Sequence, residues 1–369
     1  MNDEKLLIFG AGSHARKLAR SLQLNSNTVL GFITTQQSPH RDLDGLPVYT
    51  WETVPHDLRG NCHIAVGIFN RSDAYDELAA IIYANGFSRI IWPWDYYPHL
   101  HQDLGWCYWL DSNPRALSSW QQDPDYLKTV SILADSESRQ TLDRILAFRS
   151  GHDLDFSSFT SPENQYFNPL SLEVLPTERP VTFLDVGAYD GDTLEALIQH
   201  VAVAKAVLIE PDPANYTLLT KNIVRLARLY PDLNPYLLPI GAGDQFTCLS
   251  LAGEGEAATV SVAGDPENAR TRFTTIAPLD SIMPVDRFDF IKVDVEGHDL
   301  AALRGMRELL HRSHAVLAIS LYHRPRDVVH LPLVLMELLN GMPYNYYMRQ
   351  HMNNSFDTVL YAIPGAKKS

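Results

Sequence analysis

Short apolar runs alternate with longer amphipathic segments along most of this chain. Residues 181–184 (VTFL) are apolar or β-branched and too few to form a helical face, so they predict a buried strand of a parallel sheet. Residues 193–200 (TLEALIQH) predict a helix, with Asp192 placed to cap its start. This part of the chain therefore predicts a strand that leads, through a short turn, into a helix.

The turn between these two elements is rich in glycine. It has the pattern D-x-G-x-x-x-G, formed by Asp185, Gly187 and Gly191. Glycine lets the backbone turn sharply and approach a ligand closely. A strand, a glycine turn and a helix N-terminus at the carboxyl edge of a sheet indicate a nucleotide-sized site. The alternative is ordinary turn chemistry, since a glycine pattern alone is a weak signal.

The next predicted strand ends in an acidic residue. Residues 206–209 (AVLI) are apolar, and Glu210 and Pro211 follow them. A carboxylate at the tip of the second strand can accept hydrogen bonds from both hydroxyls of a ribose. The glycine turn and this acid occur in order at the spacing of a βαβ unit, which favours a ligand-binding site.

The alternation continues through the second half of the chain. Further strands are predicted at residues 236–240, 288–293 and 315–321, with a last hairpin formed by 344–348 and 358–363. Short strands at 247–251, 257–262 and 273–276 predict an antiparallel excursion near the substrate. Helices are predicted at 214–229 and 298–310.

The N-terminal segment has a strand and glycine turn of its own. Residues 5–9 (KLLIF) predict a strand, and Gly10, Gly12 and Ala15 then form the G-x-G-x-x-A pattern of a dinucleotide-binding turn. Residues 34–37 (TTQQ) follow the second strand, where an NAD-binding fold would carry an acid. An oxidoreductase function rests on this weak pattern alone, and NAD is not predicted.

Strands and helices continue to alternate in this segment, which predicts a parallel sheet. Strands are expected at residues 28–33, 46–49, 63–66 and 88–92, and helices at 14–22, 51–58 and 71–85. If the turn holds a substrate phosphate at a helix N-terminus, the candidate substrate-binding residues are Gly10, Gly12, Ser13 and His14. The alternative is a structural or docking module whose turn binds nothing.

Residues 93–110 are dense in aromatic side chains and contain prolines that are expected to break regular structure. If these rings are exposed, they could stack on sugars. If they are buried, they would form the seam between two domains, which is the favoured interpretation.

Residues 136–150 predict an amphipathic helix that packs on the C-terminal domain, and residues 161–167 (SPENQYF) are expected to pack there as well.

Composition narrows the class of protein. The 369 residues favour two domains, and 45% hydrophobic with 20% charged residues is ordinary for a globular protein. A net charge of −14 argues against nucleic-acid binding, which requires dense Lys and Arg. The scattered Cys62, Cys107 and Cys248 predict reduced thiols, and neither a signal peptide nor an apolar run of bilayer-spanning length is evident. We therefore expect a soluble, cytoplasmic protein.

The motifs LDVGAYDGDT, LIEPDP and FDFIKVDVEGHDLAALRGM resemble those of the FkbM family of S-adenosylmethionine-dependent methyltransferases, over residues 133–364. The resemblance implies a seven-stranded methyltransferase sheet that binds S-adenosyl-L-methionine across the glycine turn, with the cofactor's ribose on Glu210. The implied cofactor-binding residues are Asp185, Gly187, Ala188, Tyr189, Asp190, Gly191, Thr193, Glu210, Pro211, Gly241, Ala242 and Asp294.

The N-terminal segment resembles a different family. Its motifs FGAGSHARKLA, GFIT, LDGLPVY, HIAVG and NGFSRIIWP resemble the N-terminal domain of PglD-type sugar acyltransferases, which holds a nucleotide sugar.

The candidate catalytic residues follow two predicted strands. Asp294 and Glu296 come directly after residues 288–293, and His323 follows residues 315–321. Methyl transfer needs an aligned acceptor oxygen and a base for its proton, and either a carboxylate or a histidine of ordinary pKa serves as that base. The alternative is that Asp294 only caps the following helix and Glu296 only holds the loop. A divalent metal held by Asp294, Glu296 and His323 is the less favoured hypothesis, because no compact ligand motif marks it, and no metal is assigned.

These observations predict an α/β protein with two Rossmann-like domains, the C-terminal one a seven-stranded methyltransferase sheet with a last antiparallel hairpin. The expected divisions are residues 1–100, a linker and helical segment at 101–170, and a methyltransferase domain at 171–369. The predicted function is O-methylation of a hydroxyl of a sugar, glycan, or nucleotide- or lipid-linked saccharide precursor. His351, in the loop of the last hairpin, is a further candidate substrate-binding residue. The alternative is a nucleotide-sugar-binding protein with a non-catalytic methyltransferase-like domain, and a homodimer is compatible with either function.

Overall fold

The computed structural model describes residues 4–38, 41–113, 119–156, 159–252, 259–261 and 272–365. The chain divides into two compact units. The first consists of Met1–Asp123, Thr141–Thr160 and Met352–Phe356, and the second of Pro124–Gln140, Ser161–His351 and Asp357–Ser369. Both units are discontinuous in sequence. The domain divisions at 1–100, 101–170 and 171–369 remain predictions.

The first unit alternates strands with helices over its N-terminal part. In chain order these are β1 (Lys5–Phe9), α1 (Ser13–Leu24), β2 (Thr28–Thr34), β3 (Asp42–Leu43), β4 (Leu46–Thr50), α2 (His56–Arg59), β5 (His63–Val66), α3 (Tyr75–Ala84), β6 (Ile90–Ile91) and α4 (Pro93–Leu104). Within the described residues the strands form one sheet in the order β3-β4-β2-β1-β5-β6, parallel except for the β3–β4 pair. The predicted parallel sheet is confirmed.

Among the described residues, a short 3₁₀ helix (Trp120–Gln122) and three α-helices follow before the second sheet begins. The α-helices are α5 (Pro124–Ile132), α6 (Ser136–Arg149) and α7 (Pro169–Leu172). The second unit then contains β7 (Val181–Val186), α8 (Asp192–Ile198), β8 (Val203–Ile209), α9 (Pro213–Leu229), β9 (Asn234–Leu238), β10 (Gly241–Ala242), β11 (Thr247–Ala252), β12 (Thr259–Ser261), β13 (Arg272–Ala277), α10 (Leu279–Ile282), β14 (Phe290–Val293), α11 (Asp299–Arg304), α12 (Arg307–Ser313), β15 (Val316–Ser320), α13 (Asp327–Leu338), β16 (Tyr344–Gln350) and β17 (Thr358–Pro364).

The main sheet of the second unit has seven strands among the described residues, in the order β16-β17-β15-β14-β7-β8-β9. β9, β8, β7, β14 and β15 are parallel neighbours, and β17 is antiparallel to both β15 and β16. The predicted seven-stranded sheet with a last antiparallel hairpin is therefore confirmed. β14 and β7 lie at its centre, so the residues that follow them meet at one edge.

A smaller sheet in the order β10-β13-β11-β12 accounts for the short strands between β9 and β14. Its β11–β12 and β11–β13 pairs are antiparallel, as expected from the sequence. The predicted strand at 257–262 falls partly outside the described residues, which contain only its central part as β12.

The core of the second unit explains why the apolar runs become strands. Phe183 of β7 and Phe290 of β14 are fully buried, and their ring centroids lie 5.8 Å apart. α9 covers this sheet through Leu219 and Ile223, which belong to the same apolar cluster. Asp212 caps α9 by accepting hydrogen bonds from the amides of residues 214 and 215, at 2.8 and 3.1 Å.

Several predicted boundaries differ from those in the structure. The strand predicted at 181–184 continues to residue 186, with Asp185 inside it. Asp192 is the first residue of α8 rather than its cap; Gly191 holds the N-cap position with φ = 89°. The helix predicted at 298–310 is two helices that are separated at residues 305 and 306. At this break the backbone of Gly305 lies so close to Gly243 that a Cβ on Gly305 would overlap the Gly243 carbonyl oxygen.

The proline-containing aromatic segment was also predicted incorrectly. Residues 93–104 form α4, with Pro93 in the first turn and Pro98 inside the helix. Tyr75 stacks on Trp92 at 5.1 Å, and Trp92 stacks on Trp94 at 5.6 Å, all within the first unit. Of the Trp and Tyr rings in this segment, Tyr96, Tyr97 and Trp109 are buried, Trp94 and Tyr108 are half-buried, and Trp106 is exposed. The proposed seam between domains remains a prediction.

Candidate active site

The glycine turn after β7 is anchored to the end of β8. The amides of Gly187 and Ala188 both donate to the carbonyl of Ile209, at 3.0 and 2.9 Å. Gly187 has φ = +88°, and a Cβ there would overlap the carbonyl oxygen of Asp294. Only glycine fits this position, because both the backbone conformation and the adjacent β14 exclude a side chain.

Glu210 lies at the tip of β8 and binds the glycine turn. Its Oε2 accepts a hydrogen bond from the Tyr189 amide at 3.0 Å, and its Oε1 accepts one from the Asp212 amide at 2.8 Å. Asn215 adds a longer side-chain bond of 3.5 Å. Burial raises the pKa of Glu210 to about 7, although these hydrogen bonds act in the opposite direction. A carboxylate has about four acceptor positions, so Glu210 retains capacity for ligand hydroxyls.

A buried ion pair lies beneath the turn. Lys292 of β14 places Nζ 3.1 Å from Oδ1 of Asp185 and 2.6 Å from the carbonyl oxygen of Gly187. Burial raises the pKa of Asp185 to about 6, with Lys292 opposing the shift. Burial works against the charge on Lys292, but Asp185 and Asp294 raise its pKa overall. Asp185 is fully buried, so its side chain supports the turn from below.

Sequence reasoning did not single out Lys292, although one signal was available. It is a charged residue inside the apolar strand FIKV, all four residues of which are buried. A lysine in such a strand requires an anionic partner, and Asp185 in the neighbouring strand is directly opposite it in the parallel register.

The remaining candidate cofactor-binding residues lie in or beside the turn. Tyr189 has a positive φ of 48°. Asp190 accepts from the Asp192 amide at 3.2 Å. Thr193, in the first turn of α8, is buried. Gly241 and Ala242 form β10, and a Cβ on Gly241 would lie 3.7 Å from the Cβ of Pro211.

The second group of candidates surrounds a buried histidine. His323 is fully buried, and its Nε2 lies 3.1 Å from Oδ1 of Asp294 and 3.8 Å from Oε2 of Glu296. Its Nδ1 lies 2.9 Å from Oδ2 of Asp299. The side chains of Asp294 and Glu296 are 17% and 19% exposed. The structure therefore brings the three predicted catalytic residues together, with the imidazole behind and the carboxylates facing outward.

The charged groups around His323 shift one another's pKa values. Burial opposes the charge on His323, but Asp299, Glu296 and Asp294 raise its pKa well above the ordinary value. Burial likewise opposes the charge on Asp294, but the His323 hydrogen bond and Lys292 lower its pKa. The pKa of His323 is therefore raised above the ordinary value expected from the sequence.

Two tyrosines hold the Asp294 carboxylate. The Tyr166 hydroxyl donates to Oδ2 at 2.9 Å, and the Tyr322 hydroxyl donates to Oδ1 at 3.4 Å. Sequence reasoning missed Tyr166, Tyr322 and Asp299 as site residues. Tyr166 lies in the SPENQYF segment that was expected to pack on this domain, and Asp299 follows Gly297 by two residues.

The candidate substrate-binding residues of the N-terminal glycine turn, which follows β1, belong to the first unit. Gly10 has φ = +107° and donates to the Ile33 carbonyl at 2.9 Å. Gly12 precedes α1, and a Cβ there would have no atom within 4 Å. Ser13 is exposed. His14 binds the Tyr96 hydroxyl at 3.0 Å, and burial, followed by Lys17, lowers the pKa of His14 to about 4.

His351, the last candidate, makes two contacts within the second unit. Its Nε2 lies 2.8 Å from the Tyr361 hydroxyl and its Nδ1 lies 3.2 Å from the Glu163 carbonyl oxygen. Burial lowers the pKa of His351 to about 4. Both ring nitrogens therefore stabilise the surrounding fold.

A family match covers the glycine turn, Glu210 and the His323 group. Residues 185–353 match the methyltransferase FkbM domain. The resemblance of this part of the sequence to FkbM methyltransferases is thereby confirmed, whereas the resemblance of the N-terminal segment to PglD-type domains remains a prediction. No curated protein sequence matches the chain.

The solved structure of a methyltransferase FkbM shares the fold of this chain. A methyltransferase FkbM from Methylobacillus flagellatus KT is 21% identical, with a TM-score of 0.70 over 98% of this chain and 90% of that chain. An O-methyltransferase from Bacillus cereus in complex with SAH is 16% identical over 68% of this chain and 100% of that chain, with a TM-score of 0.35. Among the described residues, no helix is both long and apolar enough to cross a membrane.

Proposed function

We propose that this protein transfers a methyl group from S-adenosylmethionine to a hydroxyl oxygen, with the methyltransferase FkbM domain as its catalytic part. The observation that carries the proposal is the hydrogen bond between the Tyr189 amide and Glu210, because it fixes an acid beside a glycine turn at the carboxyl edge of the sheet. Asp294 follows β14, the strand adjacent to β7 in the same sheet. A cofactor site and a reaction site therefore adjoin.

Glu210 has the chemistry required to hold the cofactor's ribose. Its carboxylate is almost completely buried and already oriented by two backbone amides, and it retains acceptor positions for two hydroxyl donors. Hydrogen bonds that involve a charged partner are stronger than neutral ones. When bound, S-adenosylmethionine supplies a methyl group on a positively charged sulfur.

The acceptor side is formed by the outward-facing carboxylates. Asp294 and Glu296 are partly exposed, so an acceptor hydroxyl can reach them, whereas His323 is enclosed. We assign alignment of the hydroxyl and acceptance of its proton to these carboxylates. His323 acts as a positioning residue, because its ring holds Asp294 from behind. Alignment of this kind contributes much of the rate enhancement in a displacement reaction.

The proposed acceptor is a sugar hydroxyl, on a glycan or on a nucleotide- or lipid-linked precursor. Support comes from the N-terminal glycine turn, where Gly12 precedes the 12-residue helix α1 and the space around it is open. Backbone amides at a helix N-terminus favour a phosphate group. A nucleotide-linked sugar would use such a site for its diphosphate.

Calorimetric titration of the full chain with S-adenosylmethionine tests the cofactor assignment. Glu210→Ala is expected to weaken binding by about 1.5 to 3 kcal/mol, and Glu210→Gln, which preserves the shape of the side chain, by a smaller amount. Glu337→Ala is the matched control, because Glu337 is exposed and its ion pair with Lys128 is a surface one. Absence of binding by folded wild-type protein would overturn the proposal. Binding without methylation of any hydroxyl acceptor would favour a non-catalytic binding protein.

A further inference from the structure

The reaction site contains a set of side chains suited to a metal ion. We propose that Asp294, Glu296 and His323 bind a divalent cation such as Mg²⁺ or Mn²⁺. Each of the three offers a ligand atom, and these atoms all lie within 4.8 Å of one another. The cation's role in catalysis rests on the proposed function, whereas its binding can be measured independently.

The spacing of the ligand atoms matches a shared coordination sphere. His323 Nε2 lies 3.1 Å from Asp294 Oδ1 and 3.8 Å from Glu296 Oε2. Adjacent ligands of an octahedral ion with bonds near 2.1 Å are about 3.0 Å apart. The first distance fits this value directly, and the second requires only a small movement of the partly exposed Glu296 side chain.

Asp299 orients the histidine as a metal ligand requires. It accepts from Nδ1 of the ring, which directs Nε2 toward Asp294 and Glu296. Asp299 is itself held by the amides of Val295 and Gly297, each at 3.2 Å. Metal-binding histidines usually donate their other ring nitrogen to a carboxylate in this way. The turn that carries Glu296 therefore also fixes the direction of His323.

Asp294 is oriented by a different contact. The Tyr166 hydroxyl donates to Oδ2. Oδ1 is the oxygen nearest to His323 and also accepts a longer hydrogen bond from the Tyr322 hydroxyl. Two carboxylates offset the charge of a divalent ion, and a ligand set of two oxygens and one nitrogen suits Mg²⁺ or Mn²⁺ better than thiolate-binding metals. Three protein ligands leave positions for an acceptor hydroxyl, whose pKa a bound cation would lower.

Direct binding of Mn²⁺ tests this site without measuring activity. Chelator-treated full-length protein is titrated with Mn²⁺, and the electron paramagnetic resonance signal of the free ion is followed, with Mg²⁺ as competitor. We expect one saturable site that Mg²⁺ competes for. Glu296→Gln should weaken it at least tenfold, and Asp299→Asn by about 10- to 100-fold through loss of the histidine's orientation. Glu337→Gln should leave binding unchanged.

Measurements of Mn²⁺ binding and of S-adenosylmethionine binding test the metal site and the proposed function separately. Glu296→Gln changes a partly exposed side chain, so circular dichroism and a melting curve are expected to show a folded variant. Absence of saturable Mn²⁺ binding in wild-type protein, or unchanged binding in Glu296→Gln, would overturn the metal site and indicate an ion-paired cluster only. S-adenosylmethionine affinity, measured on the same samples, reports on the methyltransferase assignment by itself.

Discussion

The backbone amide of Tyr189 donates a 3.0 Å hydrogen bond to the carboxylate of Glu210, and this bond joins the glycine turn to the tip of the neighbouring strand. Burial raises the pKa of Glu210 to about 7, although this hydrogen bond acts in the opposite direction. The turn is fixed from the other side by Lys292, which donates to the Gly187 carbonyl. We therefore expect changes at these contacts to alter ligand binding or stability.

Binding of S-adenosylmethionine should weaken as the pH falls through about 7. Ribose hydroxyls donate to the ionised form of Glu210, and burial keeps this group protonated to a higher pH than usual. Calorimetry between pH 6 and pH 8.5 is expected to show Kd rising by up to about tenfold per pH unit at the acidic end. Glu210→Gln should flatten the profile, and Glu337→Gln should retain it. A wild-type affinity independent of pH would contradict the assigned role of Glu210.

The raised pKa of Glu210 also makes the stability of the folded protein depend on pH. The pKa of Glu210 is raised from 4.5 to about 7 in the folded protein, so the folded state holds this proton when the unfolded state has lost it. The contribution is fully present below pH 4.5 and is lost as the pH rises through about 7. Glu210→Gln should therefore reduce the decline in melting temperature of ligand-free protein over that interval, relative to wild type.

Gly187→Ala should destabilise the second unit by about 2 to 4 kcal/mol, because the added Cβ would overlap the Asp294 carbonyl in a left-handed backbone conformation. Gly341→Ala is the matched control. Gly341 has a similar φ of +83°, but no atom lies within 4 Å of its added Cβ. That variant should cost only about 1 kcal/mol from backbone strain. Equal losses in denaturant unfolding would mean that the contact with Asp294 is unimportant.

Removal of one partner from the buried Lys292–Asp185 pair should cost about 3 to 5 kcal/mol, since the other charge is left uncompensated. Lys292→Met and Asp185→Asn should each show this loss in urea unfolding. The double variant should lose less than the sum of the two, by about 1 to 3 kcal/mol. Strict additivity would show that the two groups do not interact.

His323→Gln should lower kcat by roughly 10²- to 10⁴-fold while S-adenosylmethionine affinity stays within a factor of about two, because the ring positions Asp294 on the acceptor side. His311→Gln is the control: His311 is a part-buried histidine of α12 that contacts the Leu338 carbonyl. Single-turnover measurements of methyl transfer compare the His323→Gln variant with the His311→Gln control. Near-wild-type kcat in His323→Gln would remove the histidine from the reaction site.

Gly12→Val should raise the acceptor's KM by about tenfold and leave S-adenosylmethionine affinity alone, if the N-terminal turn holds a phosphate of the acceptor. The added side chain meets no protein atom within 4 Å, so an effect on folding is not expected to obscure the result. Gly60→Val, at a position with equally open surroundings in the same unit, serves as the control. Unchanged kinetics in both variants would favour a structural role for this turn.

The sequence by itself determined the local features of the protein. Apolar runs and glycine positions predicted most strands, the turn after β7 and the acid at the tip of β8, because these depend on residues within a few positions of one another. Motif resemblance added the expectation of a seven-stranded sheet. The same local reasoning did not predict the break between α11 and α12, where Gly305 packs against the backbone of the distant Gly243.

Only the tertiary structure decided the chemistry of the reaction site. Tyr166 and Asp294 are 128 positions apart in the chain, yet they share a hydrogen bond. A histidine has an ordinary pKa near 6.5 in isolation, but the pKa of His323 is raised because the carboxylates that the fold brings to both ring nitrogens outweigh the effect of burial. Ionisation depends on distance and desolvation, and both are properties of the packed chain rather than of its local pattern.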